Sequence, residues 1–205
     1  MVNEARDKII VGAEELFMRY GIKSITMDDL ASNLAISKKT IYQHFKDKDE
    51  LVLEVAKIHM QQDEKEVECI ITKSENAVQE IFYIAQFIRK MTAKLNPSVL
   101  FDLKKYHSKA WDAFQAHKIN CIYQHVVKNI ERGKVEGYYR LEANAEILST
   151  MRMQEVEMTY EPLVYSPTKF SLVEVQMELF DHFVRGIVTK AGLDLYNNYL
   201  NEIND

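Results

Sequence analysis

Cysteine is scarce: Cys69 and Cys121 are the two thiols in 205 residues, too few for a disulfide framework and wrongly spaced for a zinc site. Six glycines and three prolines leave long stretches of chain without a breaker. No segment alternates polar and apolar residues over a convincing length, so strands have no support. No apolar run reaches the roughly 20 residues of a membrane span, and the opening MVNEARDK holds no apolar signal core. A phosphate-cradling glycine loop, a His-Glu-x-x-His pair and a Gly-x-Ser-x-Gly elbow are all missing. The expectation is an all-α, non-enzymatic protein of the reducing cytoplasm, without cofactor or metal.

Hydrophobic residues make up 47% and charged residues 28%, with a net charge of −5. That sign argues against nucleic acid until the distribution is read. Residues 1–48 hold eight Lys/Arg against seven Asp/Glu, and the remainder eighteen against twenty-four. Residues 37–48 alone carry four lysines and one aspartate. A small basic patch on an acidic body attracts phosphate at one surface and repels it elsewhere.

The patch lies in TMDDLASNLAISKKTIYQHFKDKDEL, residues 26–51. Thr26 and Asp29 have the spacing of a capping box. Leu30, Ala31 and Leu34 recur at helical spacing. Ser37 is an N-cap for a second short helix, in which Ile41 and Phe45 point inward and Lys38, Lys39, Thr40, Tyr42, Gln43 and His44 outward. Asp47, with Glu50 three residues on, caps a third helix from about Lys48. Two short helices with a basic second one form a helix-turn-helix, which places side chains in the DNA major groove.

This stretch resembles the tetracycline-repressor (TetR) family of bacterial transcription regulators. Met27, Leu30, Ala31, Ile36, Ser37, Thr40, Ile41, Tyr42, His44, Phe45, Lys48 and Leu51 carry the resemblance, preceded by Ala13, Leu16, Phe17 and Gly21. The chain departs from the family at the turn, with Ala35 where glycine is usual and Leu34 where a small residue is usual. An alanine forced into a left-handed conformation is strained by roughly 1 kcal/mol. The resemblance implies that Tyr42, His44, Lys48 and Thr26 meet phosphates. Lys38, Lys39 and Thr40 are placed to face base edges, and Ser37 and Gln43 complete the DNA-binding set.

Along the chain, helices are predicted over 3–20 (stopped by Gly21), 48–71, 74–95, 99–106, 109–132, 143–160 and 170–191, the last capped by Gly192. A loop is predicted at 161–167, and the tail is given one or two turns. About nine helices result: a helix-turn-helix head, 1–47, and a larger helical ligand-binding and dimerisation body, 48–205. His117, Cys121 and His125 recur at i, i+4 and i+8, but a straight helix splays the outer two about 12 Å apart, and they are read as polar positions on a second face.

The family resemblance implies a small-molecule pocket in the body, for which His59, Met60, Tyr83, Phe87, Trp111, Phe114, Met151 and Tyr160 are the candidates; adaptable and aromatic side chains suit it. Residues 170–191 are apolar on more than one face, so Leu172, Val173, Phe180, Phe183, Val184 and Ile187 are expected at a homodimer interface. The expected function is a ligand-responsive regulator, a homodimeric repressor on a near-palindromic double-stranded DNA operator. The alternative is a helical interaction or small-molecule-binding module whose head contacts protein.

Overall fold

The computed structural model describes residues 2–161 and 163–202, with side chains from Glu4 onward. Pro162 of the predicted 161–167 loop lies outside the described residues. The helices are α1 (Val2–Tyr20), α2 (Met27–Asn33), α3 (Lys38–Tyr42), α4 (Lys48–Lys73), α5 (Ala77–Thr92), α6 (Ser98–Tyr106), α7 (Ser108–His117), α8 (Tyr123–Val135), α9 (Ala145–Thr159), α10 (Leu172–Ile187) and α11 (Lys190–Glu202). Among the described residues the only β pairing is an isolated antiparallel bridge between Tyr139 and Val188. The chain forms two compact units: residues up to Asp63 with Lys94–His117, and Glu64–Ala93 with residues from Lys118 onward. The sequence boundary at 47/48 falls inside the first unit.

In the first unit, Ile9, Ala13 and Phe17 of α1 pack with Leu30 and Ala31 of α2, Ile41, Phe45, and Leu51, Val52 and Val55 of α4. Burial of such a side chain stabilises by about 1.5–3 kcal/mol. Gly21 ends α1: its φ of 83° suits a residue without Cβ, and its N–H donates to the Phe17 carbonyl at 2.9 Å. Tyr20, the last residue of α1, is exposed, with Arg19 over its ring at 5.0 Å. Residues 94–117 join the same core through Val99, Leu103 and Ala110.

The second unit is built around Val78, Ile81 and Phe82 of α5, Ile130 of α8 and Phe180, Phe183, Val184 and Ile187 of α10. Several of its buried polar groups pair across helices. The Tyr139 hydroxyl meets the Ala77 carbonyl at 2.9 Å and Asn129 Oδ1 at 3.0 Å. Arg132 bridges Glu80 at 2.9 Å and Glu136 at 2.7 Å. Burial pushes the Glu80 carboxyl above its ordinary value, opposed by Asn129 and Arg132.

Two predicted helices are each two. The 109–132 helix is interrupted by a π-helical turn, Lys118–Ile122. An extra residue in the turn rephases the helix; Lys118 is buried there, and its amine pairs with Glu157 of α9. The 170–191 helix stops at Ile187 because Val188 is extended, with ψ 150°. Arg140 N–H donates to the Ile187 carbonyl at 2.9 Å and Thr189 N–H to the Tyr138 carbonyl at 2.8 Å, pairing that replaces helical bonds. Gly192 is therefore not a cap. It lies inside α11, where a Cβ would sit 2.2 Å from the Tyr138 carbonyl oxygen. The tail is a 13-residue helix, held on α5 by Tyr196 and Tyr199 against Phe82 at 6.5 and 5.4 Å between rings.

The apolar surplus of α10 is covered within the chain. Phe180, Phe183, Val184 and Ile187 are 4%, 2%, 0% and 1% exposed, so these four are core residues here, while Leu172 and Val173 stay half-buried.

Candidate nucleic-acid interface

The helices α2, α3 and α4 are each started by side chains of their own segment. Thr26 is extended, its hydroxyl accepts from Asp29 N–H at 3.1 Å, and Asp29 Oδ2 accepts from Thr26 N–H at 2.8 Å. The Thr26 hydroxyl also donates to Asp29 Oδ2 at 2.6 Å, and this bond foremost, together with that from the Thr26 backbone, holds the Asp29 carboxyl below its ordinary value. Ser37 accepts from Thr40 N–H at 3.0 Å and starts α3. Between them Ala35 takes a φ of 53°, and Ile36 N–H donates to the Ala31 carbonyl at 3.0 Å. The turn thus keeps its left-handed residue although the side chain is alanine. Asp47 Oδ1 accepts from Glu50 N–H at 2.9 Å, and Glu50 returns to Lys46 N–H at 2.6 Å.

With Ile41 and Phe45 0% and 1% exposed, α3 has one orientation. Lys38, Lys39, Tyr42 and Gln43 face outward, and Thr40 and His44 are half-buried. Lys38 Nζ lies 2.8 Å from Asp28 of α2; a bridge this exposed is screened by solvent, so it positions the amine more than it stabilises the fold. Lys48 is half-buried, donates to the Ile22 carbonyl at 2.6 Å and lies 5.9 Å from the Phe17 ring. Burial lowers its pKa, opposed by Asp102, Asp49 and Asp29. Lys48 therefore ties the start of α4 to the segment leading into Thr26.

Three residues distant in sequence join this region from α6 and its end. Asp102 accepts from Lys23 N–H at 2.8 Å, Tyr106 accepts from Lys23 Nζ at 3.1 Å, and His107 Nδ1 lies 2.7 Å from Asp49 Oδ1. The sequence carries no local signal for these links, which join residues 58 to 83 positions apart.

The pocket candidates are distributed over both units. In the first, His59 lies between Glu14 and Asp63, 2.6 and 3.4 Å from their oxygens, Met60 is half-buried, and Trp111 and Phe114 form a tilted ring pair at 5.5 Å. In the second, Phe87 and Tyr160 are half-buried, whereas Tyr83 and Met151 are 45% and 41% exposed. His117 ends α7, Cys121 lies in the π-helical turn and His125 in α8.

Residues 9–55 match the family described as bacterial regulatory proteins, tetR family. Over 177 residues the chain is 27% identical to the HTH-type transcriptional regulator YvaF of Bacillus subtilis, covering 83% of this chain and 90% of that one. Over 58 residues, 28% of this chain and 26% of the relative, it is 36% identical to the HTH-type transcriptional activator FasR of Mycolicibacterium smegmatis. Its fold matches that of a transcriptional regulator from Saccharomonospora viridis crystallised in complex with choline, with a TM-score of 0.76, 19% identity and coverage of 92% and 100% of the two chains.

Proposed function

Since the chain belongs to the tetR family of bacterial regulatory proteins, we propose that it is a cytoplasmic, homodimeric, ligand-responsive repressor of a near-palindromic operator. The observation that carries this reading is the outer face of α3, where Lys39, Tyr42 and Gln43 stand free on a helix fixed by Ser37, Ile41 and Phe45. Lys38, Lys39 and Thr40 meet base edges, with lysine donating to guanine O6 or N7. Thr26, Tyr42, His44 and Lys48 meet phosphates and set the register. In a dimer, two α3 helices enter major grooves roughly 34–36 Å apart.

Two features support the dimer. Ile147 and Met151, one turn apart on α9, are 66% and 41% exposed, and Gly186 of α10 has open space where a Cβ would stand. Sedimentation of Ile147→Glu then shows monomer at concentrations where the wild type is a dimer. Choline in the Saccharomonospora protein supports a small organic effector among the aromatic side chains here. It acts only through a difference in its affinity for two states of the protein.

Sequencing the DNA fragments that purified protein retains tests the reading. One enriched near-palindrome, bound with a steep salt dependence, is expected. Enrichment of no sequence and salt-insensitive protein contacts would favour the interaction-module alternative.

A further inference from the structure

The tip of α6 combines positive charge and exposed rings that the reading above does not use. Phe101 and Tyr106 are each 39% exposed, and Lys104 and Lys105 stand beside them in the last turn. Lys105 Nζ lies 5.3 Å from the Phe101 ring and 5.4 Å from the Tyr106 ring. Lys104 Nζ lies 5.6 Å from the Trp111 ring, and Lys23 Nζ 4.9 Å from that of Tyr106. A helix C-terminus favours lysine, which accounts for Lys104 and Lys105. It accounts neither for Lys23, which comes from another part of the chain, nor for the exposed rings.

The tip is fixed at the head. The Lys23 backbone donates to Asp102, which is 4% exposed, and His107 holds Asp49, the neighbour of Lys48. It is thereby attached to the segments that lead into two of the proposed phosphate contacts, Thr26 and Lys48. Lys23 precedes Thr26 by three residues, a span of at most about 11 Å. Asp102 is already engaged by the Lys23 backbone and Asp49 by His107. The lysines Lys23, Lys104 and Lys105 are exposed.

We propose that Lys23, Lys104 and Lys105 form a second phosphate-binding surface, which holds the backbone of the operator duplex beside the recognition helix. This rests on the DNA-binding reading of the head. Lysine is a point charge on a flexible stem, so the surface adds affinity and salt dependence without reading sequence. The rings of Phe101, Tyr106 and Trp111 lie within cation–π distance of the lysine amines and limit the freedom lost on binding.

The test is a titration of full-length protein with a labelled random-sequence duplex between about 50 and 200 mM salt. The double variant Lys104→Gln/Lys105→Gln is compared with the wild type and with Lys105→Arg, and thermal unfolding is recorded for each. In the double variant the slope of log affinity against log salt falls by roughly two units, about 0.9 for each lost phosphate, and affinity drops at least tenfold. Lys105→Arg keeps the wild-type slope. A wild-type slope in a folded double variant overturns the second surface and leaves the DNA reading standing, provided that the wild type binds the duplex with a steep salt dependence. A loss in Lys105→Arg equal to that of the double variant also overturns it, because packing and not charge would be responsible. Wild-type protein that binds no duplex at the lowest salt refutes the DNA reading itself.

Discussion

Leu34 occupies the space that Gly12 leaves open: a Cβ on Gly12 would stand 2.5 Å from Leu34 Cδ2 and 3.2 Å from its Cγ. The two residues lie on different helical elements of the head, α1 and the turn after α2, and their sizes are complementary. A leucine at the turn, where the family usually has a small residue, is thus matched by a glycine in the middle of α1. Glycine there costs about 0.5–1 kcal/mol of helix propensity relative to alanine, and overpacking against Leu34 costs about 1–3 kcal/mol. Gly12→Ala is therefore expected to destabilise by about 1 kcal/mol in the native background. In Leu34→Ala the same change should stabilise. A double-mutant cycle by denaturant unfolding measures the coupling, and additive effects would refute the pairing.

Ala35 stands at φ 53°, where an L side chain is strained by roughly 1–2 kcal/mol. Ala35→Gly relieves that strain but enlarges the unfolded ensemble, at a cost of about 0.4–1 kcal/mol. The net expectation is a gain of about 0.5–1 kcal/mol, read as a higher denaturation midpoint at constant slope. An unchanged or lowered midpoint would mean that the turn is not strained.

The head was legible because its signals are local. Thr26, Ser37 and Asp47 act within three or four residues of themselves, and Ile41 and Phe45 are fixed by helical spacing. What escaped reading depends on distant partners. The π-helical turn at Lys118 answers to Glu157, 39 residues on, and the break at Val188 answers to Tyr138–Arg140. The links from α6 to Lys23 and Asp49 pair residues with no common pattern. Greasiness alone placed Phe183 and Val184 at an interface because sequence does not tell which neighbour covers an apolar face. Leu193, Tyr196 and Leu200 do carry a helical period in the tail, and that signal was readable.

Two lysines of the head separate positioning from reading. Lys48→Ala is expected to weaken binding to all duplexes alike and to lower the salt slope by roughly one unit. It also removes the bond to the Ile22 carbonyl, so its thermal stability is measured alongside. Lys39 has no such second role, and Lys39→Ala changes preference at one base position by about 1–3 kcal/mol. Selection from a random duplex library, repeated with each variant, distinguishes the two. Identical selected sequences from Lys39→Ala and wild type would remove Lys39 from base reading.

His59 links α4 to α1 through a titratable contact. Its Nδ1 lies 2.6 Å from Glu14 Oε1 and its Nε2 3.4 Å from Asp63 Oδ2, and the three side chains are 27%, 21% and 28% exposed. Burial draws the imidazole pKa down, but the hydrogen bond to Glu14 and the charges of Asp63 and Glu14 outweigh it. The pKa is raised above 6.5. A group whose folded pKa lies above its unfolded one stabilises fully below the unfolded value, and the contribution fades as pH rises through the folded value. The protein should therefore lose stability on going from about pH 6 to above the raised His59 value. A charge-assisted hydrogen bond is worth about 1.5–3 kcal/mol; partial exposure reduces this to about 1 kcal/mol, or a fall in Tm of about 2–4 °C. The control is the same scan in His59→Gln. The variant should be less stable than the wild type at the acid end and converge with it at the alkaline end. Parallel Tm curves for the two proteins across that range would show that the α1–α4 contact does not titrate.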